Sequence, residues 1–287
     1  MMKRKSRSEK KTPRKSKLPA AARDTDSLEV RPSSEPLPHR DYVFYGRSGT
    51  GKTTLAGTFP KPILLLDVRD RGTDSLADVG DIDVFEVGSF EDFERAYYHL
   101  LKNPKGYKTV VVDTLSQLQQ IVVEEIALKK GKKSSDKAPG AWGTLAKGDW
   151  GDVSGRMKTW ITNYRDLPLN VVFIAQDRVS NPQDDDEEQS VLEPEVGPQL
   201  SPSVAQHLNA SVSTIGNTFI RGRTIVKEIK VKGKKPKKKE VKITEYCLRI
   251  GPNPVYVTKT RKPRSVIPPS ILVEPTYEDF IDLIKGE

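Results

Sequence analysis

Residues 46–53 have the types and spacing needed to hold a triphosphate. Their sequence, GRSGTGKT, fits the pattern G-x-x-x-x-G-K-[ST] at every fixed position. Glycines at these positions let backbone N–H groups turn towards a phosphate with no Cβ in the way. We expect Lys52 to reach the β- and γ-phosphates and the Thr53 hydroxyl to ligate Mg²⁺. A glycine-rich structural turn is the alternative. The predicted nucleotide-binding residues are Gly46, Arg47, Ser48, Gly49, Thr50, Gly51, Lys52, Thr53 and Thr54.

A second residue suited to magnesium chemistry stands at the end of an apolar run. Asp113 follows the segment TVVV and precedes Thr114. A carboxylate in this position beside a phosphate loop commonly helps to hold the metal ion of the nucleotide. We therefore predict that Thr53 and Asp113 hold Mg²⁺. ATP is the expected nucleotide, because the chain contains no N-K-x-D motif for guanine. The alternative is that Asp113 only caps a helix that begins at Leu115.

Near-continuous apolar segments, separated by helical patterns, predict the fold that positions these residues. Such strands are typical of a parallel sheet covered by helices on both faces, which is an α/β fold. Ligands of these sheets bind at the carboxyl ends of the strands, where we expect Asp67, Asp113 and Gln176. The predicted strands are 42–45, 63–67, 109–113 and 169–176, and the predicted helices are 53–58, 90–101, 115–129, 153–165, 201–208 and 277–284.

Composition divides the chain into three parts. Residues 1–38, rich in Lys, Arg, Ser and Pro, are expected to form a disordered basic arm. Residues 39–265 are expected to form the α/β domain, which includes a β-hairpin at 217–250 with a lysine-rich tip and a short strand at 255–258. Residues 266–287 are expected to be a tail with a short helix.

The net charge of +9 is concentrated in two segments. Residues 1–18 carry nine basic side chains and one acidic one, residues 227–242 carry nine and two, and the rest of the chain is therefore at −6. Such segments suit a polyanion such as nucleic acid, because each neutralised phosphate releases counterions. Solvated, extended segments are the alternative. The chain has one cysteine and no apolar run near the ~18 residues that cross a membrane, so we expect a cytoplasmic protein.

Four segments of residues 40–265 follow a pattern shared by one group of ATPases. They are YGRSGTGKTTLAGTFPKPILLLD, TVVVDTLSQL, APGAWGTLAKGDW and LNVVFIAQDRV. They resemble the AAA-type ATPases of tailed bacteriophages, which belong to the RecA-like superfamily and include single-strand annealing recombinases. The resemblance implies a RecA-like P-loop core and ATP hydrolysis coupled to single-stranded DNA. It also implies a homo-oligomer, a single-strand-binding protein as a partner, and the host bacterial cytoplasm as the location.

The same resemblance implies roles for further residues. Gln176 would contact the γ-phosphate and relay the nucleotide state; the alternative is a strand-end amide bonded to backbone. Asp70 would be the catalytic base, with Asp67 as a competitor and an ion pair with a neighbouring arginine as another interpretation of Asp70. Lys259 and Arg261 resemble a lysine–x–arginine finger, which would stabilise charge on a neighbour's γ-phosphate. The alternative for these two is a solvated basic cluster.

The loop at residues 130–152 is the predicted DNA contact, because it interleaves lysines with tryptophans. Cations follow the phosphates of a single strand, and aromatic rings stack on its bases. The predicted DNA-binding residues are Lys132, Lys133, Trp142, Lys147 and Trp150. The alternative is that both tryptophans pack onto the core. The acidic run DDDEE at 184–188 opposes DNA binding in the next loop.

The combination predicts an ATP-hydrolysing RecA-like protein that binds single-stranded DNA in phage recombination or replication. Two alternatives stay open from the sequence. One is an ATP-dependent switch or loader that acts on protein partners, and the other is a helicase-type or packaging-type motor.

Overall fold

The computed structural model describes residues 32, 37, 39–103, 105–131, 145–180, 195–229 and 237–286. Four predicted features lie largely or wholly outside these residues. They are the basic arm, the loop segment with Lys132, Lys133 and Trp142, the acidic run at 184–188, and the hairpin tip.

A large sheet forms the centre of the described chain. Its parallel strands are β1 (Asp41–Tyr45), β2 (Ile63–Asp67), β3 (Ile82–Glu86), β4 (Thr109–Asp113) and β5 (Asn170–Ala175). A small separate hairpin is made of β6 (Asp177–Ser180) and β7 (Glu195–Pro198). β8 (Thr214–Ile229) is also parallel to β1, whereas β9 (Lys237–Arg249), β10 (Lys259–Thr260) and β11 (Ile271–Val273) are antiparallel to the strands with which they pair. The order across the sheet is β11-β9-β8-β1-β5-β4-β2-β3, with β10 paired to the start of β8.

Helices cover both faces of this sheet. They are α1 (Lys52–Ala56), α2 (Phe90–Lys102), α3 (Leu115–Gly131), α4 (Lys147–Arg165), α5 (Pro202–Ser211) and α6 (Tyr277–Lys285). Because side chains alternate along a strand, Val43 and Tyr45 of β1 join the core under α2–α5, whereas Tyr42 and Phe44 join the core under α1 and α6. The central strands are buried on both faces, which is why they read as continuous apolar runs. The predicted α/β class with a mainly parallel sheet is confirmed.

The long hairpin of β8 and β9 extends past the edge of the sheet. β8 pairs with β1 only over Thr214–Asn217, but it pairs with β9 from Asn217 to Ile229. Beyond Asn217 the two strands form a ribbon on the side where β1 ends. Twelve residues of strand correspond to about 40 Å. The root of this ribbon therefore lies beside the loop that follows β1.

Several boundaries differ from those expected. The predicted helix at 153–165 begins at Lys147, so Lys147 and Trp150 lie on α4 and not in a loop. The strand expected at 255–258 is instead the short β10, and β3, β6, β7 and β11 were not predicted. β11 pairs with β9, and Phe280 of α6 is buried in the core, so the C-terminal residues pack into the domain. Among the described residues, no helix is long and apolar enough to cross a membrane.

Candidate nucleotide-binding site

The phosphate loop connects the end of β1 to the start of α1. Gly51 is the residue before the helix and has φ of 82°, in the left-handed region that favours glycine. A Cβ on Gly46 would collide with the backbone oxygen of Thr218 on β8, so the loop lies tightly against that strand. Thr50 Oγ1 hydrogen-bonds Thr218 Oγ1 at 2.7 Å on the same side. Contacts with β8 thus help to shape the loop.

Lys52 is folded back over this loop. Its side chain is buried, and its Nζ donates to the carbonyl oxygens of Gly46 at 2.9 Å and Arg47 at 2.7 Å. Burial lowers the pKa of Lys52 from its ordinary value, and the nearby Asp113 carboxylate partly opposes this. The ammonium therefore sits at the mouth of the loop, held by two acceptors that a phosphate could replace.

Thr53 and Asp113 meet at the carboxyl end of the sheet. Thr53 Oγ1 donates to Asp113 Oδ2 at 2.7 Å, which joins the start of α1 to the end of β4. Asp113 is 3% exposed, and its Oδ1 has no hydrogen-bond partner among the described residues. Burial raises the pKa of Asp113 to about 6, while the hydrogen bond from Thr53 lowers it.

These donors fit a magnesium ion. A hydroxyl and a carboxylate with one unsatisfied buried oxygen are the oxygen ligands that Mg²⁺ takes alongside water and phosphate. No group of three or more His, Cys, Asp or Glu side chains suited to a metal occurs in the described ranges, so an all-protein cage is not offered there. At the start of α3 it is Thr114 Oγ1 that accepts the N–H of Gln117, and no backbone N–H among the described residues donates to the Asp113 carboxylate.

The two candidate carboxylates after β2 have different surroundings. Asp67 is buried, and its Oδ1 accepts the backbone N–H groups of Asp70 at 2.9 Å and Arg71 at 3.0 Å. It therefore stabilises a turn in which Arg69 and Arg71 have positive φ. Asp70 is exposed and lines the cavity in front of the phosphate loop. Arg69 pairs with Glu124 at 2.6 Å, and no ion pair to Asp70 occurs in the part of the chain described.

Gln176 follows β5 directly and also lines this cavity. Its backbone is fixed, since its N–H donates to Ser116 Oγ at 3.1 Å and its oxygen accepts from the Gln199 N–H at 2.7 Å. Its side chain makes no hydrogen bond to the residues that the structure describes. The side-chain amide is thus available to a ligand, while the backbone of Gln176 contacts Ser116 on α3 and Gln199, which follows β7.

Lys259 and Arg261 lie away from the phosphate loop of their own chain. β10 pairs with Thr214 and Ile215, at the end of the sheet where β1 begins. Lys259 Nζ donates to the oxygens of Asn209 and Ala210, and Arg261 Nη2 also donates to Ala210. Both cations therefore stabilise the carboxyl end of α5. Contact with a nucleotide would require the site of a second copy.

The residues that form the far wall of the cavity were not predicted from the sequence. This wall consists of Thr218 on β8, Tyr246 and Cys247 on β9, and the segment Glu274–Thr276 before α6. The whole cavity has a volume of about 600 Å³. No local sequence signal marks these residues, because their position depends on the register of the hairpin and on the docking of α6.

A second cavity of about 610 Å³ is bordered by Gln199, whose N–H donates to the Gln176 oxygen. Trp150 of α4 borders it with 42% of its surface exposed, together with Arg178 of β6 and Gln119 of α3. Of the predicted DNA-binding residues, the structure places Trp150 here. The Lys147 side chain is not among those described, and Lys132, Lys133 and Trp142 lie outside the described residues.

A comparison with known protein families assigns most of the chain to one family. A sequence profile described as an AAA domain matches residues 39–262. No curated protein has a significantly similar sequence. The solved structures that are similar to this chain include a KaiC-like protein from the hyperthermophilic archaeon Pyrococcus horikoshii, with a TM-score of 0.40, 12% identity, and coverage of 82% of this chain and 89% of that one.

Two further structures are also similar. The RadB recombinase has a TM-score of 0.36 and 15% identity, over 62% of this chain and 74% of its own. The flagellar accessory protein FlaH from Methanocaldococcus jannaschii has a TM-score of 0.35 and 10% identity, over 84% and 92%. In this fold the phosphate loop follows β1 of a mainly parallel sheet. The chain belongs to the AAA domain family.

Proposed function

We propose that this protein binds and hydrolyses Mg-ATP and that it acts on single-stranded DNA in phage recombination or replication. The observation that carries the nucleotide part is the pair Thr53–Asp113, which places an unsatisfied carboxylate oxygen beside a preformed phosphate loop. The phage part rests on the sequence resemblance alone, and the DNA part rests on that resemblance and on the exposed Trp150 at the second cavity.

Different residues of the chain would have different roles in hydrolysis. Mg-ATP, when bound, would supply an electrophilic phosphorus, and the metal would offset part of the negative charge on the phosphate oxygens. Lys52 would exchange its two carbonyl partners for phosphate oxygens, and Thr53 and Asp113 would hold the metal. Asp70 would accept a proton from an attacking water; in support, it lines the cavity, whereas Asp67 accepts two backbone N–H groups of the turn. The side-chain amide of Gln176 would contact the γ-phosphate.

Two chains of contacts link this site to the second cavity. One runs from Gln176 through the backbone pair with Gln199, which borders that cavity. The other runs along α3, where Ser116 binds the Gln176 N–H and Gln119 Oε1 accepts from Ser201. A change at the γ-phosphate would therefore shift groups around Trp150. We propose this connection as the route by which ATP hydrolysis is coupled to DNA.

Replacing Trp150 with alanine is expected to weaken binding of a single-stranded oligonucleotide. Stacking of a base on an aromatic ring contributes roughly 1–3 kcal/mol, so a loss of about tenfold in affinity is expected. The measurement is fluorescence anisotropy of a labelled oligothymidine at constant salt. Tyr98→Ala removes another exposed ring, on α2, and is the matched control. Unchanged affinity of the Trp150 variant, with ATP binding intact, would favour the switch or loader instead.

Replacing Arg261 with alanine is expected to spare ATP binding and to abolish turnover in the oligomer. The reason is that Arg261 lies far from its own phosphate loop, so a catalytic role needs a neighbouring copy. Loss of an arginine finger typically lowers turnover by about 10³-fold or more. Phosphate release should be measured over a range of protein concentrations, with Arg264→Ala as the control.

Mixing two inactive variants separates the finger from a purely structural role of Arg261. An Arg261→Ala subunit keeps its phosphate loop, and a Lys52→Ala subunit keeps its finger. Their mixture should regain part of the wild-type turnover if the finger acts between subunits. No recovery in assembled mixtures, or full turnover by Arg261→Ala alone, contradicts the finger.

The proposed partners and location follow from the resemblance. They are single-stranded DNA, further copies of the same chain and a single-strand-binding protein, in the cytoplasm of a host bacterium. The most direct test is the ATPase rate with and without single-stranded DNA at several protein concentrations. Stimulation by DNA supports the proposal. Directional unwinding with a much faster rate would instead indicate a motor.

A further inference from the structure

The root of the β8–β9 ribbon contacts the phosphate loop through an aromatic ring. A Cβ added to Gly51 would lie 3.2 Å from Cδ1 of Tyr246, so the ring covers the glycine that precedes α1. Tyr246 is nevertheless 41% exposed and borders the nucleotide cavity. The Tyr246 ring therefore offers a large apolar surface, beside the phosphate loop, on which part of a ligand can pack.

The order of the strands in the sheet indicates which part of a nucleotide would lie near Tyr246. β4, which carries Asp113, and β5, which precedes Gln176, lie on one side of β1, and β8 and β9 lie on the other. The metal-holding and γ-phosphate groups are thus on the β5 side of the phosphate loop. The part of a nucleotide away from its γ-phosphate would then extend towards β8 and β9, where Tyr246 lies.

Hydrogen bonds within the chain hold the turn beside Tyr246. The N–H of Glu274 donates to the Tyr246 oxygen at 2.7 Å, and the Tyr246 N–H donates to Glu274 Oε1 at 2.9 Å. Glu274 has φ of 49°, which is unfavourable for a residue with a Cβ and is maintained by these contacts. The Tyr277 N–H donates to Thr58 Oγ1 at 2.9 Å, which ties the turn to the end of α1.

We propose that Tyr246 and the segment Glu274–Thr276 form the subsite for the nucleobase, and that this base is adenine. The proposal rests on the proposed nucleotide function and adds the residues that recognise the base. The Tyr246 ring supplies a stacking face, and the rigid turn supplies an edge. A strained, preordered turn in this position lowers the entropy cost of binding.

The selectivity for adenine follows from the acceptors of Glu274. Its Oε1 is occupied by the Tyr246 N–H, and Oε2 has no hydrogen bond to any residue in the described ranges. One free carboxylate oxygen matches one exocyclic amino group, which adenine presents at its Watson–Crick edge. Guanine offers two adjacent donors that suit a carboxylate with both oxygens free, so it fits this edge less well.

The first test compares ATP with inorganic tripolyphosphate, which has no base. Calorimetric titration of the Tyr246→Ala variant in Mg²⁺ should show ATP affinity reduced about tenfold, as expected for loss of one stacking partner. Tripolyphosphate affinity should stay within about twofold of the wild type, since its contacts are to the phosphate loop. Tyr246→Phe keeps the ring and should recover most of the ATP affinity.

A matched control comes from the same ribbon. Ile220 pairs directly with Tyr246 across the two strands, is 46% exposed and does not border the cavity. Ile220→Ala should leave both affinities unchanged. Equal loss of ATP and tripolyphosphate binding in Tyr246→Ala, or no loss of ATP binding, overturns the base subsite while leaving nucleotide binding intact. Absence of binding of either ligand to the wild type overturns the proposed function itself.

The second test addresses Glu274 and does not depend on the ring. Wild-type protein should bind ATP several-fold more tightly than purine riboside triphosphate, which lacks the amino group. The Glu274→Gln variant keeps an oxygen for the Tyr246 N–H and should lose this preference. A variant that still discriminates between the two triphosphates, or a wild type that does not, rejects Glu274 as the group that recognises the base.

Discussion

Mg-ATP titrated into the Lys52→Ala variant is expected to give no measurable heat and no phosphate release. The Lys52 ammonium donates to the oxygens of Gly46 and Arg47, at the mouth of the phosphate loop. No other lysine or arginine side chain among the described residues lines the nucleotide cavity. Charge-assisted contacts to a triphosphate are among the strongest available to the chain, so we expect at least ~100-fold weaker binding.

Thermal melting tests whether this loss is local. Burial lowers the pKa of Lys52, so its ammonium is not favourably placed without a ligand. The ligand-free variant should therefore melt close to the wild type, while the increase in melting temperature caused by Mg-ATP should disappear. Lys102→Ala, an exposed lysine on α2, is the control and should keep that increase. Wild-type ATP affinity in the Lys52 variant would contradict the assigned role of the loop.

The sequence was sufficient where structure is local. The phosphate loop could be predicted because glycine, lysine and threonine meet a spacing that backbone geometry requires. The strands β2 and β4 could be predicted because strands buried on both faces are apolar at every position. β3 was missed for the opposite reason, since it is the last strand in the sheet order and Asp83 and Val84 are exposed. An edge strand has no continuous apolar pattern.

Other features depend on packing that no short segment encodes. The start of α4 contains Gly148 and Gly151, which favour a loop, but buried Val153 and Met157 bind this helix to the core. Tertiary packing therefore outweighs local propensity at this helix end. Tyr246 and Glu274 are 28 residues apart, and their contact exists because β11 and α6 return to β9 and α1. The base side of the site could not be predicted for this reason.

Replacing Asp113 with asparagine is expected to abolish Mg²⁺-dependent hydrolysis. The amide keeps an oxygen that can accept from Thr53, so the link between α1 and β4 should survive. It lacks the negative charge that a divalent cation requires, and its nitrogen is a donor. We expect turnover to fall by about 100-fold or more, by analogy with other metal-assisted phosphoryl transfer. Phosphate release against Mg²⁺ concentration is the measurement, and wild-type turnover would exclude Asp113 from the metal site.

The same variant should stabilise the ligand-free protein at neutral and higher pH. Burial raises the pKa of Asp113 from 3.8 to about 6, a shift that corresponds to roughly 3 kcal/mol. A carboxyl with a raised pKa in the folded state favours folding at low pH, and this contribution is lost as pH rises from about 4 to about 6. In chelator, Asp113→Asn should therefore unfold at higher denaturant than the wild type at pH 8, with a smaller difference at pH 5.

Ser116→Ala is the control for this comparison, because Ser116 lies on the same helix start and binds the Gln176 backbone without carrying charge. Its effect on stability should not change between pH 5 and pH 8. Added Mg-ATP should make the wild type more stable than Asp113→Asn, since the wild type gains binding energy that the asparagine variant lacks. If Asp113→Asn is no more stable than the wild type at pH 8 in chelator, the charged Asp113 carboxylate does not destabilise the fold, and this prediction is wrong. A gain in stability together with a loss of turnover would instead mean that the fold maintains a buried charge because catalysis needs it.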